Sequence, residues 1–153
     1  MDAIVNIREI PVGSFVEVWT SDMNVLTCQV AEVLLGDNVR ALILHQSYDF
    51  GQYDTGSIVT FPLSLVRGIR CTWTSLRQFG FTDSDEKGWK LVYWFGTDMK
   101  LLYRYDNKKQ YASFRFKSTF RKGYVSISCV EFHRLQNIMR FLTGGELEFE
   151  YKI

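Results

Sequence analysis

The chain has 153 residues, 46% hydrophobic and 16% aromatic, which supports one domain or two small ones with packed cores and excludes a disordered chain. Its net charge of +1 conceals an asymmetry: residues 1–78 hold five Lys/Arg against eight Asp/Glu (−3), residues 79–153 thirteen against nine (+4), and residues 87–140 twelve against three (+9). A local positive patch of that kind attracts a polyanion.

Three widely spaced cysteines, Cys28, Cys71 and Cys129, without a CxxC pair, argue against a disulfide framework or a zinc site. Each sits among apolar or β-branched residues and reads as a small buried hydrophobe. A reducing compartment, cytoplasm or nucleus, is expected. The opening MDAIVNIREI lacks a basic start followed by an apolar run, so no signal peptide is expected. No apolar stretch is long enough to span a membrane.

In chain order, the first half reads as β throughout. Phe15–Thr20 is a predicted strand, and Ser21-Asp22-Met23-Asn24 carries turn chemistry. Val25–Leu35 is a second strand, long enough to bend. Gly36-Asp37-Asn38 turns the chain into Val39–His45. A polar, aromatic loop covers residues 47–56. Ser57–Phe61 and Leu65–Trp73 follow as strands four and five, with Pro62 marking a break. Five short strands without an amphipathic helix predict a small barrel.

The run Pro11-Val12-Gly13-Ser14-Phe15-Val16-Glu17-Val18 resembles the opening strand of Sm-like (LSm) domains, of the divergent type in enhancer-of-decapping proteins. The bent strand 25–35, the Val39–Leu44 strand, Ile58–Phe61 and Leu65–Ile69 fit the same pattern, and Arg67-Gly68-Ile69 resembles the Arg-Gly pair of the second Sm motif. The resemblance covers residues 11–73 and implies an SH3-like five-stranded barrel. The family's Asp and Met-Asn RNA contacts have no counterpart at Gly36-Asp37-Asn38. The resemblance therefore implies a module for protein assembly, in a ring, a heterodimer or with a short peptide.

Residues 80–88 (GFTDSDEKG) shift in composition and read either as a linker or as an acidic surface turn within one domain. They lack the ligand spacing of a calcium loop. Taken as a linker at 81–88, they separate a barrel at 1–80 from a basic α+β domain at 89–153.

In that second half, Trp89–Phe95 and Lys100–Tyr105 are predicted strands split by Gly96-Thr97-Asp98, and Asp106-Asn107-Lys108-Lys109 is a hairpin turn. Tyr111–Ser118 alternates cleanly, with Ala112, Phe114 and Phe116 on one side and Tyr111, Ser113, Arg115 and Lys117 on the other. Arg121-Lys122-Gly123 turns into a strand at Tyr124–Ile127. Ser128-Cys129-Val130-Glu131 has the form of a capping box. Phe132, Leu135, Ile138, Met139 and Leu142 then give an apolar helical face over 129–142, stopped by Gly144-Gly145. The tail Glu146–Ile153 alternates strictly and reads as a closing strand with one acidic face. The expected class is mainly β to α+β: a small barrel, then an antiparallel sheet with one capped helix.

The stretches Ala112-Ser113-Phe114-Arg115-Phe116, Lys122–Ser128, and Glu131-Phe132 with Leu135 are similar to the strand–turn–strand–helix run of the transcription positive-cofactor-four family. That resemblance implies single-stranded DNA binding by a dimer.

No nucleotide, hydrolase or metalloprotease motif occurs, and neither histidine, His45 or His133, has a partner at a catalytic spacing. Same-face acids at Glu146, Glu148 and Glu150 read as a solvated strand face. An enzyme, a metal and a cofactor are not expected. What remains is the tract Lys100–Lys122, with eight Lys/Arg, one acid (Asp106) and six interleaved aromatics. Cations among rings suit a surface that holds phosphates and stacks bases. The candidate nucleic-acid-binding residues are Lys100, Arg104, Lys108, Lys109, Tyr111, Arg115, Lys117, Arg121 and Lys122, with Arg115 and Lys117 on phosphate and Tyr111 stacking. The favoured reading is a ribonucleoprotein-associated protein that binds single-stranded nucleic acid, RNA ahead of DNA, and assembles through its Sm-like half as a homo- or hetero-oligomer. A scaffold whose basic face meets an acidic protein, a single-stranded DNA-binding transcription cofactor, and a plain solvated face stay open. A further possibility is neutralisation of the tract by the acidic tail strand.

Overall fold

A computed structural model describes residues 10–20, 24–47, 53–108, 111–120, 122–145 and 147–151, with only the backbone described at Asp106 and Tyr111. The chain divides into two compact units, residues 1–69 and 70–153. The first carries three Lys/Arg against eight Asp/Glu (−5) and the second fifteen against nine (+6).

The first unit is a single antiparallel sheet. Strands β1 (Phe15–Trp19), β2 (Val25–Leu34), β3 (Asn38–Gln46) and β4 (Ile58–Pro62) form a meander. A 3-10 turn, Leu63–Leu65, leads to the short β5 (Val66–Gly68), which pairs back on β1. The order is β4-β3-β2-β1-β5. Alternation supplies the core: Val16 and Val18 from β1, Leu26, Cys28 and Val30 from β2, Val39, Ala41 and Ile43 from β3 are all buried together. Irregularities of the kind that bend a strand are present in β2, with register shifts at Thr27/Cys28 and Val30/Glu32. The expected barrel closure is not: β4 and β5 stand as the two ends of an open sheet, because three residues of β5 follow directly on a 3-10 turn and pair only with β1.

The predicted fifth strand, Leu65–Trp73, also ends early. Thr72 Oγ1 accepts from the Ser75 N–H (3.1 Å) and Ser75 Oγ from the Thr72 N–H (3.0 Å), a reciprocal cap that starts helix α1 (Trp73–Gln78).

The second unit is another antiparallel meander, β6 (Thr82–Asp83), β7 (Leu91–Phe95), β8 (Met99–Asp106), β9 (Tyr111–Ser118) and β10 (Val125–Cys129), in the order β10-β9-β8-β7-β6, with helix α2 (Phe132–Thr143). Its core is aromatic. Phe132 stacks on Phe79 at 4.2 Å between centroids and meets Phe149 at 4.9 Å; Phe149 also contacts Phe81, Tyr93 and Phe95. Leu135 and Met139 add apolar side chains to the buried face of α2, His133 and Gln136 are buried on the same helix, and Leu142 is exposed. Gly144, at φ +63°, supplies the left-handed stop.

Three expectations for this half are corrected. Residues 81–88 are not a linker, since Phe81 is buried in the aromatic core and Thr82–Asp83 pair with β7. Ser128 is not a helix cap: Ser128 and Cys129 continue β10 opposite Ser113 and Ala112, and Arg70 bridges to Glu131, so the backbone stays extended until Phe132. The tail forms no strand over 147–151. Its alternation survives, with Phe149 buried and Glu148 and Glu150 exposed, but it is held by ring packing and by a Glu150 N–H to Tyr93 Oη contact at 3.4 Å. Among the described residues no helix is long and apolar enough to cross a membrane.

Candidate nucleic-acid interface

The register of the second sheet brings the predicted cations together. Lys100 pairs with Trp94 on one side and Lys117 on the other. Leu102 pairs with Val92 and Arg115, and Arg115 with Ser126. Arg104 pairs with Ser113, and Ser113 with Ser128. Period-two alternation places all of these on the side opposite Leu101, Tyr103 and Phe114, which are buried.

That outer side is not bare. Residues 84–90 fold back over it, turning at Gly88 (φ +88°), a backbone conformation that costs glycine little. The loop is pinned by the Ser84 N–H to Lys90 O (3.1 Å), the Trp89 N–H to Glu86 O (3.1 Å) and the Lys90 N–H to Tyr103 O (2.8 Å). It delivers two side chains. Glu86 pairs with Lys100 and accepts from Lys117 Nζ at 2.9 Å. Trp89 lies with its ring centroid 4.6 Å from the Arg104 guanidinium and 4.9 Å from that of Arg115. Leu102, opposite Arg115 and two positions before Arg104, is fully buried.

Two further rings complete the pattern. Tyr124 lies 3.7 Å from the guanidinium carbon of Arg115, and Trp94 lies 5.1 Å from Lys100 Nζ. Both keep solvent access, at 55% and 44% exposure, so each presents a surface on which a planar group can stack. Arg115, held between Trp89 and Tyr124, has its Nε buried with no hydrogen-bond partner among the described residues.

The electrostatics follow from Glu86. Burial pushes its carboxyl pKa up, but hydrogen bonds and charge from Lys100 and Lys117 outweigh that and hold it below its ordinary 4.5. The mutual repulsion that eight cations without acidic neighbours would suffer is therefore relieved, for Lys100 and Lys117, by an acid from outside the tract. In the acidic tail, Glu148 pairs instead with Arg140 of α2 at 3.1 Å, and Glu146 lies outside the described residues.

Of the predicted residues, Lys100, Arg104, Arg115 and Lys117 share this face. Lys108 and Lys122 are exposed in the β8–β9 and β9–β10 connections. Lys109 and Arg121 lie outside the described residues, as does the side chain of Tyr111, whose backbone belongs to β9. Sequence reasoning missed Glu86, Trp89, Trp94 and Tyr124. Trp94 had a signal, since it stands opposite Lys100 in any β7–β8 hairpin closed at Gly96-Thr97-Asp98. His45 is exposed near the end of β3 and His133 is buried in α2. Among the described residues no three His, Cys, Asp or Glu side chains gather into a metal-sized group.

No protein-family model, curated protein or solved structure matches this chain.

Proposed function

We propose that the protein is a non-enzymatic binder of single-stranded nucleic acid, acting through the outer side of β7–β10. The observation that carries this reading is the juxtaposition of cations and rings along one side of the sheet: Trp94 with Lys100, then Trp89, Arg115 and Tyr124 in contact. Stacked guanidinium groups keep their N–H edges for phosphates, while the exposed rings offer faces to bases. The charge separation supports the same reading, since the second unit holds +6 and the first −5. Glu86 makes the face moderate rather than maximal, because it occupies Lys100 and Lys117 until a polyanion competes.

The first unit belongs to a different task in this proposal. Its acidic balance disfavours a polyanion, and its sheet ends in two open strands, β4 and β5, with Ile58 half-exposed on β4. Open strands of this kind pair with other chains. In this proposal the first unit serves protein assembly, and RNA is preferred to DNA only through the resemblance of residues 11–73 to Sm-like domains. The reading places the protein in cytoplasm or nucleus.

The test is fluorescence anisotropy with a labelled single-stranded RNA and the matching DNA at several salt concentrations. Micromolar or tighter binding with steep salt dependence supports the reading, and the ratio of the two affinities names the ligand. Absence of binding at low salt overturns it and leaves the alternative, a scaffold for an acidic protein.

A further inference from the structure

Beside the basic face the second unit carries a cleft built of two adjoining cavities, of about 380 and 550 Å³, which share Trp73, Tyr103 and Tyr105. Each has the volume of a small-molecule site. The smaller one exists because the end of the β8–β9 hairpin is lined by small side chains: Ala112 stands opposite Tyr105 and next to Cys129 in register, and Cys71 closes the floor. The larger one opens toward Lys90, Arg104 and Asn107.

The walls are aromatic and prearranged. Trp73 and Tyr105 are each half-exposed, at 48% and 49%. Trp73 is backed by the Arg77 guanidinium at 4.3 Å, and Arg77 is in turn held by Asp83. Among the described residues lining the two cavities there are cations and no acids. An apolar, ring-walled floor with a cationic mouth fits a ligand that is flat and apolar at one end and anionic at the other. Asn107 at the mouth can both donate to and accept from a base edge. Arg104 lines the cleft and stacks on Trp89 of the outer face, so a strand lying on that face would run directly to the mouth.

We propose that this cleft is a nucleobase site. It takes one base of a single strand against Trp73 and Tyr105, with the adjoining phosphate at Arg104 and Lys90. The inference rests on the nucleic-acid reading of the neighbouring face, and a strand bound there is the source of the base. An acidic, aromatic peptide shares part of this chemistry, but continuity with the Arg104–Trp89–Arg115 row favours the nucleotide.

The experiment compares labelled oligoribonucleotide binding by the full chain, Tyr105→Ala, Tyr105→Phe, Ala112→Ile and Arg115→Ala, each first checked for folding by circular dichroism. Tyr105→Ala and Ala112→Ile, one removing a wall and the other filling the cavity, should weaken binding about tenfold, the loss of one stacked base, with the salt slope unchanged. Tyr105→Phe should bind as the parent does, because the ring face is kept. If both cleft variants bind as tightly as the parent while Arg115→Ala weakens, the face stands and the cleft proposal is overturned. If the parent binds no oligonucleotide, the face falls, and titration of adenosine monophosphate against tryptophan fluorescence decides the cleft alone. Quenching that is lost in Ala112→Ile supports a free-nucleotide site, and no quenching overturns it.

Discussion

Glu86 accepts a hydrogen bond from Lys117 Nζ at 2.9 Å, across 31 positions of sequence, while also pairing with Lys100. One carboxylate from a loop thus sits between two cations of neighbouring strands. Both lysines belong to the basic tract, whereas the acid that answers them comes from the 84–90 loop, outside that tract.

Removing that charge should free both lysines. Glu86→Gln is expected to tighten single-stranded nucleic-acid binding and to steepen its salt dependence by about one to two ions, since each released cation adds a phosphate contact. Stability should fall by no more than about 1 kcal/mol, as befits a partly solvated ion pair. Anisotropy at four or five salt concentrations, with urea unfolding alongside, checks both. Unchanged affinity would mean that Lys100 and Lys117 do not touch the ligand.

The same carboxylate sets an acid limit. Its pKa is below 4.5 in the folded chain, so the folded state binds its proton less readily than the unfolded state. The stabilisation is therefore present above pH 4.5 and is lost as pH falls through the lowered value. Urea midpoints measured between pH 6 and pH 3 should drop less steeply in Glu86→Gln than in the parent. Parallel curves would contradict the assignment.

Legibility in the sequence was uneven, for physical reasons. Strand faces were readable because alternation is local: Ala112 and Phe114 are buried, and Arg115 and Lys117 lie on the outer side as expected. The α1 helix was missed because its cap is Thr72 with Ser75 in the third position, where the usual signature has Glu or Gln. The α2 start was misplaced because a valid capping pattern at Ser128 lost to sheet pairing with Ser113. The tail alternation identified which residues are buried, but not that ring contacts of Phe149 would replace a ladder. At the site, the parity of the cations was legible. The cover by Glu86 and Trp89 was not, because it depends on where a loop turning at Gly88 folds back in space.

Cys28 and Cys71 should be inert while the fold is intact. Burial pushes the Cys28 thiol up to about 12, and burial followed by the neighbouring Cys129 raises Cys71 well above its ordinary value. Thiolate is the reactive form, so a disulfide reagent at pH 8 should label neither residue in buffer, and all three cysteines should react in denaturant. Stoichiometric labelling of Cys28 in the folded chain would contradict its place in the first unit's core.

The second unit should depend on Phe132. It is fully buried, stacks on Phe79 and contacts Phe149. Phe132→Ala is expected to cost about 3–5 kcal/mol, the transfer and cavity loss of a buried ring. Urea unfolding followed by tryptophan fluorescence, which reports Trp73, Trp89 and Trp94 in this unit, measures it. A loss below 1 kcal/mol would place α2 outside the core.

The most direct test of the central claim is the salt dependence of single-stranded RNA binding by the parent and by Arg115→Ala. Arg115 sits between Trp89 and Tyr124 at the middle of the proposed face. The account predicts weaker binding of Arg115→Ala to every sequence tried, with the slope of log affinity against log salt reduced by about one. An unchanged affinity and slope in a folded Arg115→Ala protein would remove the β7–β10 face from nucleic-acid binding.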